Sequence, residues 1–386
     1  MSGGFVPYGR QIVDEDDIAA VVEVLRGDWL TTGPAVPRFE EAFASFVGAE
    51  HGVAVANGTA ALHLAMAAAG IGPGDEVIVP ALTFVASANA ARYVGATVVF
   101  ADVRADTLTI DVDHAASLIT PDTKAIVAVD YAGVPCDLDA LLALAEQHGL
   151  VVVEDACHAP GAVYRGRRVG SIADLSTFSF HPVKSLTTGE GGMVTTSDSV
   201  LAERVRLLRN HGITTNFRER EARGTWSYDM AELGFNYRLS DLNCALGASQ
   251  LAKLPAWVDR RQQLAARYDE RLASFEWLRT PVVPEDRTSG WHLYPVRLET
   301  DDPAAARQTA FNHLRANGIG VNVHYLPVYL HSAYQALGYQ PGLCPTAEAA
   351  YQRLLSLPMW PGLPHEDQDR VVELLAEAVT QEPSRG

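Results

Sequence analysis

The stretch Val151-Val-Val-Glu-Asp-Ala-Cys-His158 is a short apolar run that ends in two acidic residues and a turn. A second run, Leu175-Ser-Thr-Phe-Ser179, leads into a loop that contains Lys184. Short runs rich in valine, threonine and phenylalanine are typical of β-strands, and a wholly apolar run is typical of a strand buried on both faces. The two runs therefore predict neighbouring strands of a sheet that is covered by helices.

Runs of this kind recur through the first part of the chain. They alternate with segments whose apolar residues lie three or four positions apart, a pattern that indicates a mostly parallel sheet. The predicted strands are residues 52–56, 76–79, 97–100, 125–129, 151–154, 175–179 and 193–196, and the clearest helices are 59–69, 137–148 and 199–209. In such a sheet the ligand binds beyond the carboxyl ends of the strands. The residues that follow each strand are therefore the candidates for chemistry.

The pattern changes near residue 240. Helical segments at 240–254 and 257–274 lead to an apolar run at 291–298, and helices follow at 304–316 and 366–378. A chain of 386 residues is long enough for two domains. We therefore expect a large α/β domain with an N-terminal arm over residues 1–245, and a smaller C-terminal α+β domain over residues 246–386.

The composition is that of an ordinary globular protein, with 48% hydrophobic and 20% charged residues. The formal net charge of −17 argues against nucleic acid or an anionic membrane as a partner. The cysteines form no Cys-x-x-Cys pair and the histidines no His-Glu-x-x-His motif, so we expect neither a disulfide framework nor a metal site. Since neither a signal peptide nor a long apolar run is visible, we expect a cytoplasmic protein.

Lys184 follows the predicted strand at 175–179 and precedes Gly189-Glu-Gly-Gly192. A lysine beyond a strand end, in a loop rich in glycine and hydroxyl groups, is placed like a reactive amine. Burial, or a cationic neighbour such as His181, lowers a lysine pKa from about 10.4 and makes Schiff-base chemistry accessible. A solvated loop lysine is the plainer interpretation of Lys184 taken alone.

Three further features follow predicted strands. Asp155 is placed to pair with the pyridine nitrogen of pyridoxal phosphate (PLP), whose protonated ring is an electron sink, although a turn cap or a Mg²⁺ ligand is the alternative. Asn57-Gly-Thr59 opens a helix whose first amides, with the hydroxyls of Thr59 and Ser179, form a phosphate site or a simple helix cap. Phe84 is a candidate for stacking on the ring or, taken alone, a core residue.

Many short motifs occur in a fixed order along the chain. They are Gly33-Pro34, Asn57-Gly-Thr59, Thr83-Phe84, Glu154-Asp-Ala156, Phe178-Ser179, Lys184, Gly189-Glu-Gly-Gly192 and Gly234-Phe-Asn-Tyr-Arg-Leu239. Together they resemble the DegT/DnrJ/EryC1/StrS family of sugar aminotransferases, almost from end to end. The resemblance implies a fold-type-I PLP enzyme and a homodimer whose active sites are shared between subunits.

The resemblance also implies a role for each residue of the cofactor site. The residues are Lys184 as the covalent attachment and proton carrier, Asp155 as the partner of the ring nitrogen, Phe84 and His158 as the two stacking faces, Gly58, Thr59 and Ser179 at the phosphate, and Asn236 reaching the phosphate from the neighbouring subunit.

A narrower likeness is to the C4 aminotransferases of pseudaminic acid biosynthesis. It is carried by Pro7-Tyr-Gly-Arg-Gln11, Asp28-Trp-Leu-Thr-Thr-Gly33, Tyr131-Ala-Gly133, Asp155-Ala-Cys-His158, Ser179-Phe-His-Pro-Val-Lys184 and Leu357-Pro-Met-Trp-Pro-Gly362. It implies transfer of the amino group of L-glutamate to C4 of UDP-2-acetamido-2,6-dideoxy-β-L-arabino-hex-4-ulose. Ser185-Leu186 departs from the histidine and isoleucine expected there.

The substrates need their own contacts. A guanidinium binds a carboxylate or a diphosphate bidentately, and aromatic and histidine side chains line sugar-nucleotide pockets, although surface or packing roles are the alternatives. The candidates are Tyr8, Arg10, His181, Arg238, His324 and Tyr325.

Several other functions stay open at this point. A C4 aminotransferase for another nucleotide-linked 4-keto-6-deoxy sugar, of the bacillosamine or perosamine type, fits the same motifs. A 3-keto-sugar aminotransferase is disfavoured by Gly189-Glu-Gly-Gly192, and a related dehydratase by Lys184, which is histidine there. A non-catalytic PLP-dependent regulator is disfavoured by the acidic charge and by the short segment before residue 53, and a nicotinamide oxidoreductase lacks its glycine fingerprint.

Overall fold

The computed structural model describes residues 4–215 and 217–380. Its strands are β1 (His51–Val55), β2 (Glu76–Pro80), β3 (Thr97–Ala101), β4 (Thr123–Val129), β5 (Val151–Asp155), β6 (Val163–Tyr164), β7 (Arg167–Arg168), β8 (Leu175–Ser179), β9 (Gly192–Thr196), β10 (Leu278–Arg279), β11 (Arg287–Thr288), β12 (Tyr294–Leu298) and β13 (Leu354–Leu357). Its helices are α1 (Glu15–Arg26), α2 (Ala35–Val47), α3 (Gly58–Ala68), α4 (Val85–Tyr93), α5 (Val112–Ser117), α6 (Leu138–His148), α7 (Ser199–Arg209), α8 (Phe217–Ala222), α9 (Asp241–Leu272), α10 (Pro303–Ala316), α11 (Ser332–Gln335), α12 (Pro345–Arg353) and α13 (His365–Thr380), with 3₁₀ turns at Tyr131–Gly133 and Val328–Leu330.

The main sheet has seven strands among the described residues, in the order β1-β9-β8-β5-β4-β2-β3. β9 is antiparallel to its neighbours β1 and β8, whereas the pairs from β8 to β3 are parallel. All seven predicted strands lie in this sheet. The α/β class with a mostly parallel sheet is therefore confirmed.

Both faces of the sheet are covered. Val127 and Val153 pack with α3 and α4 on one face, and Ile126 and Val152 pack with α5 and α6 on the other. A parallel strand buried on both faces needs apolar residues at successive positions, which explains the unbroken valine run of β5. The carboxyl ends of β1, β4, β5 and β8 meet at one edge.

Helix α9 corrects one expectation. The sequence predicts two helical segments, 240–254 and 257–274, which are separated at Pro255, a residue that disfavours a helix interior. The observed helix runs unbroken through Pro255, with Leu254 and Val258 buried on either side. It packs against α1 and α2 and against α13, and this tertiary packing outweighs the local preference.

The C-terminal part has its own sheet, β10-β12-β13, and its own core. The observed α10 and α13 match the helices expected at 304–316 and 366–378. The N-terminal arm joins this core, since Val6 is buried there and forms a bridge to Ile319. The predicted boundary between residues 245 and 246 falls inside α9, and the division into two domains stays a prediction.

Candidate active site

Lys184 lies in the turn after β8, at the edge where the parallel strands end. The Lys184 amide donates to the His181 carbonyl over 2.8 Å, and the Thr188 amide donates to the Phe180 carbonyl over 3.0 Å, so the turn is held at both ends. Burial lowers the pKa of Lys184, and the negative charge of Asp155 opposes this in part. His181 is exposed and is not among the groups that shift this pKa. Burial, rather than a cationic neighbour, makes the amine easier to deprotonate.

Asp155 is the last residue of β5 and is buried. Its Oδ2 accepts a hydrogen bond of 2.6 Å from the Ser87 hydroxyl, and its Oδ1 accepts one of 3.2 Å from the Cys157 amide. The Ser87 hydroxyl lies 2.8 Å from that of Thr83. These contacts fix the orientation of the carboxylate. Ser87 was not predicted, because it lies in α4 and meets β5 only in the folded sheet.

His158 follows Asp155 in a buried turn. Its ring is stacked with that of Tyr325 at 6.2 Å between centroids, and its Nε2 lies 3.2 Å from the Tyr325 hydroxyl. The ring of His292 lies 4.5 Å away on another side. Burial, with the charge of Lys184 as a smaller cause, holds the pKa of both histidines well below the usual value. His158 and His292 are therefore neutral hydrogen-bonding groups.

His292 was missed by the sequence argument. It comes from the segment before β12, far along the chain from β5, and no motif marks it. Gly133 lets that segment approach, since a Cβ there would lie 2.7 Å from the Trp291 amide nitrogen and 2.8 Å from the His158 carbonyl oxygen. The Nδ1 atoms of His158 and His292 are buried and have no hydrogen-bond partner in the described part of the chain.

Gly58 and Ser179 meet where β1 passes into α3. A Cβ on Gly58 would lie 2.7 Å from the Cβ of Ser179, so only glycine fits. Asn57 accepts from the Ala60 amide at 2.8 Å, and this leaves the earlier amides of Gly58 and Thr59 at the helix start. Those amides with the Ser179 hydroxyl form the kind of cradle that holds a phosphate.

The predicted aromatic residues meet over the same edge. Phe84 is 55% exposed, which is unusual for a phenylalanine beside a buried sheet, and its ring centroid lies 6.0 Å from that of Tyr325. The ring of Tyr8, from the N-terminal arm, lies 5.7 Å from that of His324. Phe84 therefore faces open space rather than the core.

Two predicted arginines lie in different places. Arg10 is exposed and lines a small cavity of about 10 Å³ with Lys184, Ser185 and the buried Arg261. That volume is about what one water molecule needs. Ser185 is a boundary of this cavity, and the neighbouring Leu186 packs in the core. Of the two residues that depart from the expected histidine and isoleucine, Ser185 therefore lies beside Lys184 and Leu186 lies in the interior.

Asn236 and Arg238 are not brought to Lys184 within one chain. Arg238 donates to Asn210 over 2.7 Å, and Asn236 forms a backbone bridge to the same residue. Arg238 lines a groove of about 1120 Å³ with Thr31 and Thr32. No hydrogen bond, ion pair or ring contact between described residues joins Asn236 or Arg238 to Lys184.

Residues 4–215 and 217–380 contain no group of three or more His, Cys, Asp or Glu residues that could hold a metal ion. They also contain no helix that is long and apolar enough to cross a membrane.

Comparison with known proteins decides the family. Residues 11–376 match the DegT/DnrJ/EryC1/StrS aminotransferase family. The chain belongs to this family. A curated relative, the spore coat polysaccharide biosynthesis protein SpsC of Bacillus subtilis (strain 168), is 42% identical over 378 residues, which cover 97% of each chain.

Solved structures of similar proteins share the fold of this chain over almost its whole length. The Streptococcus pneumoniae protein Spr1654 in its PLP form gives a TM-score of 0.91 at 33% identity, covering 97% of this chain and 98% of that one. Helicobacter pylori PseC, an aminotransferase involved in the biosynthesis of pseudoaminic (pseudaminic) acid, gives 0.91 at 32% identity and covers 98% of this chain and all of its own. The chain is therefore a PLP-dependent sugar aminotransferase of fold type I.

The residues of this DegT/DnrJ/EryC1/StrS member fit the cofactor. A buried carboxylate oriented by Ser87, an amine of lowered pKa and a glycine-lined cradle lie at one sheet edge. These are the carboxylate acceptor for a protonated ring nitrogen, the amine for a Schiff base and the site for a phosphate that PLP needs.

His324 provides a pH test of this arrangement. Burial, and next the charge of Lys184, lowers its pKa from 6.5 to about 4. Between pH 6.5 and 4 the His324 side chain is protonated in the unfolded chain but not in the folded protein. The free energy of unfolding is therefore highest above pH 6.5 and falls as the pH falls toward 4. The loss is on the order of 3 kcal/mol.

Urea titrations of the protein without cofactor give the free energy of unfolding of the wild type and of His324→Asn at each pH. We expect the wild-type value minus the variant value to fall by on the order of 3 kcal/mol between pH 6.5 and 4. His148→Asn, at the exposed end of α6, is the control and should leave the difference constant. A constant difference for His324→Asn as well would contradict the burial argument.

Proposed function

We propose that this enzyme transfers the amino group of L-glutamate to C4 of UDP-2-acetamido-2,6-dideoxy-β-L-arabino-hex-4-ulose, a step of pseudaminic acid biosynthesis. The observation that carries the proposal is the likeness to PseC over almost the whole chain, at a TM-score of 0.91. The motifs at Ser179-Phe-His-Pro-Val-Lys184 and Leu357-Pro-Met-Trp-Pro-Gly362 support it.

The cofactor residues would act together at the sheet edge. Bound PLP supplies an electron sink for the carbon that loses its proton. Lys184 attaches the cofactor and moves that proton, and its lowered pKa leaves more of the neutral amine for this task. Asp155 holds the ring nitrogen in its protonated form, while Phe84 and His158 hold the two ring faces.

Phosphate anchoring fixes the position of the cofactor. The amides of Gly58 and Thr59 and the hydroxyl of Ser179 would bind the phosphate oxygens, since a helix start with free amides favours an anion. The tight approach of Gly58 to Ser179 sets the width of the cradle. Gly58, Thr59 and Ser179 would therefore keep the cofactor in place independently of Lys184.

The sugar would lie on the side of Tyr8, His324 and Tyr325. His324 is held by Ser356, whose hydroxyl lies 2.8 Å from Nδ1, and the low pKa of His324 keeps the ring neutral. Neutral hydrogen-bonding groups suit hydroxyl and acetamido groups. Arg10 and the exposed His181 are candidates for the diphosphate or the glutamate carboxylate, because this end of the site opens to solvent.

We also propose that the enzyme works as a cytoplasmic homodimer. Trp226 is 90% exposed and Leu233 is 79% exposed, on the segment that precedes Asn236. Tyr228 and Met230 of the same segment are also exposed, and a run of exposed large apolar side chains is typical of a surface that another protein covers. A partner there would let Asn236 and Arg238 reach the other subunit's site, and sedimentation velocity that shows only monomer at working concentration would contradict this.

A product analysis tests the substrate. The purified enzyme with PLP and L-glutamate is given the 4-keto products of UDP-N-acetylglucosamine 4,6-dehydratases of both C5 configurations, and products are identified by mass and NMR. An amine at C4 of the L-arabino sugar alone is expected. An amine only on the D-xylo epimer would move the enzyme to a bacillosamine-type pathway, and no amine from either would overturn the substrate assignment.

A further inference from the structure

Two carboxyl groups lie behind Asp155, and no ion pair within residues 4–215 and 217–380 neutralises either of them. Asp130, just after β4, and Glu154, in β5, are both fully buried, at 0% exposure. The register pairs Ala128 with Glu154 and Val129 with Asp155. Because side chains alternate along a strand, Asp130 and Glu154 share one face of the sheet and Asp155 points to the other.

Each carboxyl has one oxygen that is satisfied and one that is not. Oδ1 of Asp130 accepts from the Cys136 amide at 2.9 Å. One Glu154 oxygen, Oε2, accepts from the Ser176 hydroxyl at 2.6 Å and from the Gly170 amide at 3.1 Å. Oδ2 of Asp130 and Oε1 of Glu154 are buried and receive no donor from another described residue. The two oxygens belong to residues on one face of adjacent strands, and an ionised carboxylate, which can only accept, cannot supply the other with a donor.

We propose that Asp130 and Glu154 share one proton, and that the single negative charge left on this carboxyl pair lies behind Asp155 and helps to keep the cofactor ring nitrogen protonated. The second half rests on the proposed PLP chemistry. The proton bridges Oδ2 of Asp130 and Oε1 of Glu154, so both orphan oxygens are satisfied. Two carboxyls in contact cannot both ionise at neutral pH without a cation.

The surroundings of the carboxyl pair favour this state. Burial raises the pKa of Asp130 well above its ordinary value and that of Glu154 to about 7. The titratable groups whose charges act on the pair are Asp155, on the opposite face of the sheet, and the thiols of Cys136 and Cys157. Burial raises the pKa of both thiols, so they stay neutral. The Asp130 amide donates to the Asp155 carbonyl over 3.2 Å, so the backbone of the carboxyl pair is hydrogen-bonded to that of Asp155.

Infrared spectroscopy of the protein without cofactor tests the shared proton. At pH 8 the wild type should show a carbonyl band of a protonated carboxylic acid that shifts in D₂O. Glu154→Gln and Asp130→Asn each put an amide donor where the proton was, keep one negative charge, and should each abolish the band. Glu76→Gln, at the partly exposed start of β2, is the control and should leave it. A band that is absent from the wild type, or that survives in both variants, would overturn the shared proton.

A variant without charge at positions 130 and 154 tests whether the carboxyl pair helps to keep the ring nitrogen protonated. Glu154→Gln combined with Asp130→Ser removes the charge, and Glu154→Met with Asp130→Asn does so with a different shape if the first fails to fold. The ¹⁵N shift of labelled PLP reports ring protonation. We expect the neutral variant to lose the ring proton at a lower pH than the wild type, by a shift on the order of one pH unit, because the negative charge behind Asp155 stabilises the protonated ring.

The single variants serve as charge-matched controls in this measurement. They should titrate like the wild type, because they lack the shared proton but keep the charge. An unchanged titration in a neutral variant would overturn the electrostatic role. A wild type that binds no PLP would refute the proposed function instead, and the infrared band would still decide the shared proton.

Discussion

Replacing Lys184 with alanine should lower kcat for amino transfer by at least about 10³-fold. The variant loses both the covalent attachment and the group that carries the proton, and a positioned acid–base group alone contributes roughly 10²–10⁴-fold. Single-turnover conversion of bound PLP by L-glutamate, followed by absorbance, measures the effect. Phosphate binding at Gly58 and Ser179 is untouched, so the variant should still retain the cofactor.

Lys124→Ala is the matched control, because Lys124 is exposed at the start of β4 and, among the residues that the structure describes, its amine donates to the Pro121 carbonyl alone. It should behave like the wild type. A small primary amine added to Lys184→Ala should restore part of the rate by replacing the lost base. If Lys184→Ala retained a tenth of the wild-type rate, the role assigned to Lys184 would be wrong.

Asp155→Asn should lower kcat by about 10²–10³-fold with little change in fold. Asparagine keeps the size of the side chain and can still accept from Ser87, but it removes the negative charge that favours the protonated ring. The loss should fall mainly on kcat rather than on the glutamate KM, because the proposed contact of Asp155 is with the cofactor ring and not with the substrate. Steady-state kinetics over a pH range measure it.

Ser87→Ala gives the intermediate case for the same carboxylate. It keeps the charge of Asp155 and removes only the 2.6 Å hydrogen bond that orients it. We expect a loss of roughly tenfold, which corresponds to about 1.4 kcal/mol, the typical net value of a hydrogen bond to a charged group. Equal losses for Ser87→Ala and Asp155→Asn would show that orientation, not charge, is what matters.

The local sequence was sufficient to predict the strands of the main sheet and to single out candidate residues at its edge. The valine run of β5 and the mixed run of β8 have the composition of buried strands, and ligand chemistry in such sheets occurs just beyond them. Lys184, Asp155 and Gly58 were singled out as candidates because each lies shortly after a predicted strand. The resemblance to the family then gave His158 and Phe84 their roles.

Contacts between distant segments could not be predicted in this way. Ser87 meets Asp155 across the sheet, and His292 meets His158 from the C-terminal part, so no spacing within one segment reveals either pair. The carboxyl pair has the same origin, because Asp130 and Glu154 become neighbours only through the register of β4 and β5. Pro255 misled the prediction for the opposite reason, since local chemistry was overruled by packing.

The contact between His158 and His292 also limits how this family can recombine. A chimera that joins the first 245 residues of this chain to the end of a relative would keep Lys184 and Asp155 but would place a foreign segment against His158. The foreign segment would then contact His158, the residue proposed to stack on the cofactor ring, even though Lys184 and Asp155 came from one parent. Exchange of substrate range between relatives should therefore succeed most often when the segment carrying Trp291 and His292 travels with residues 131–159.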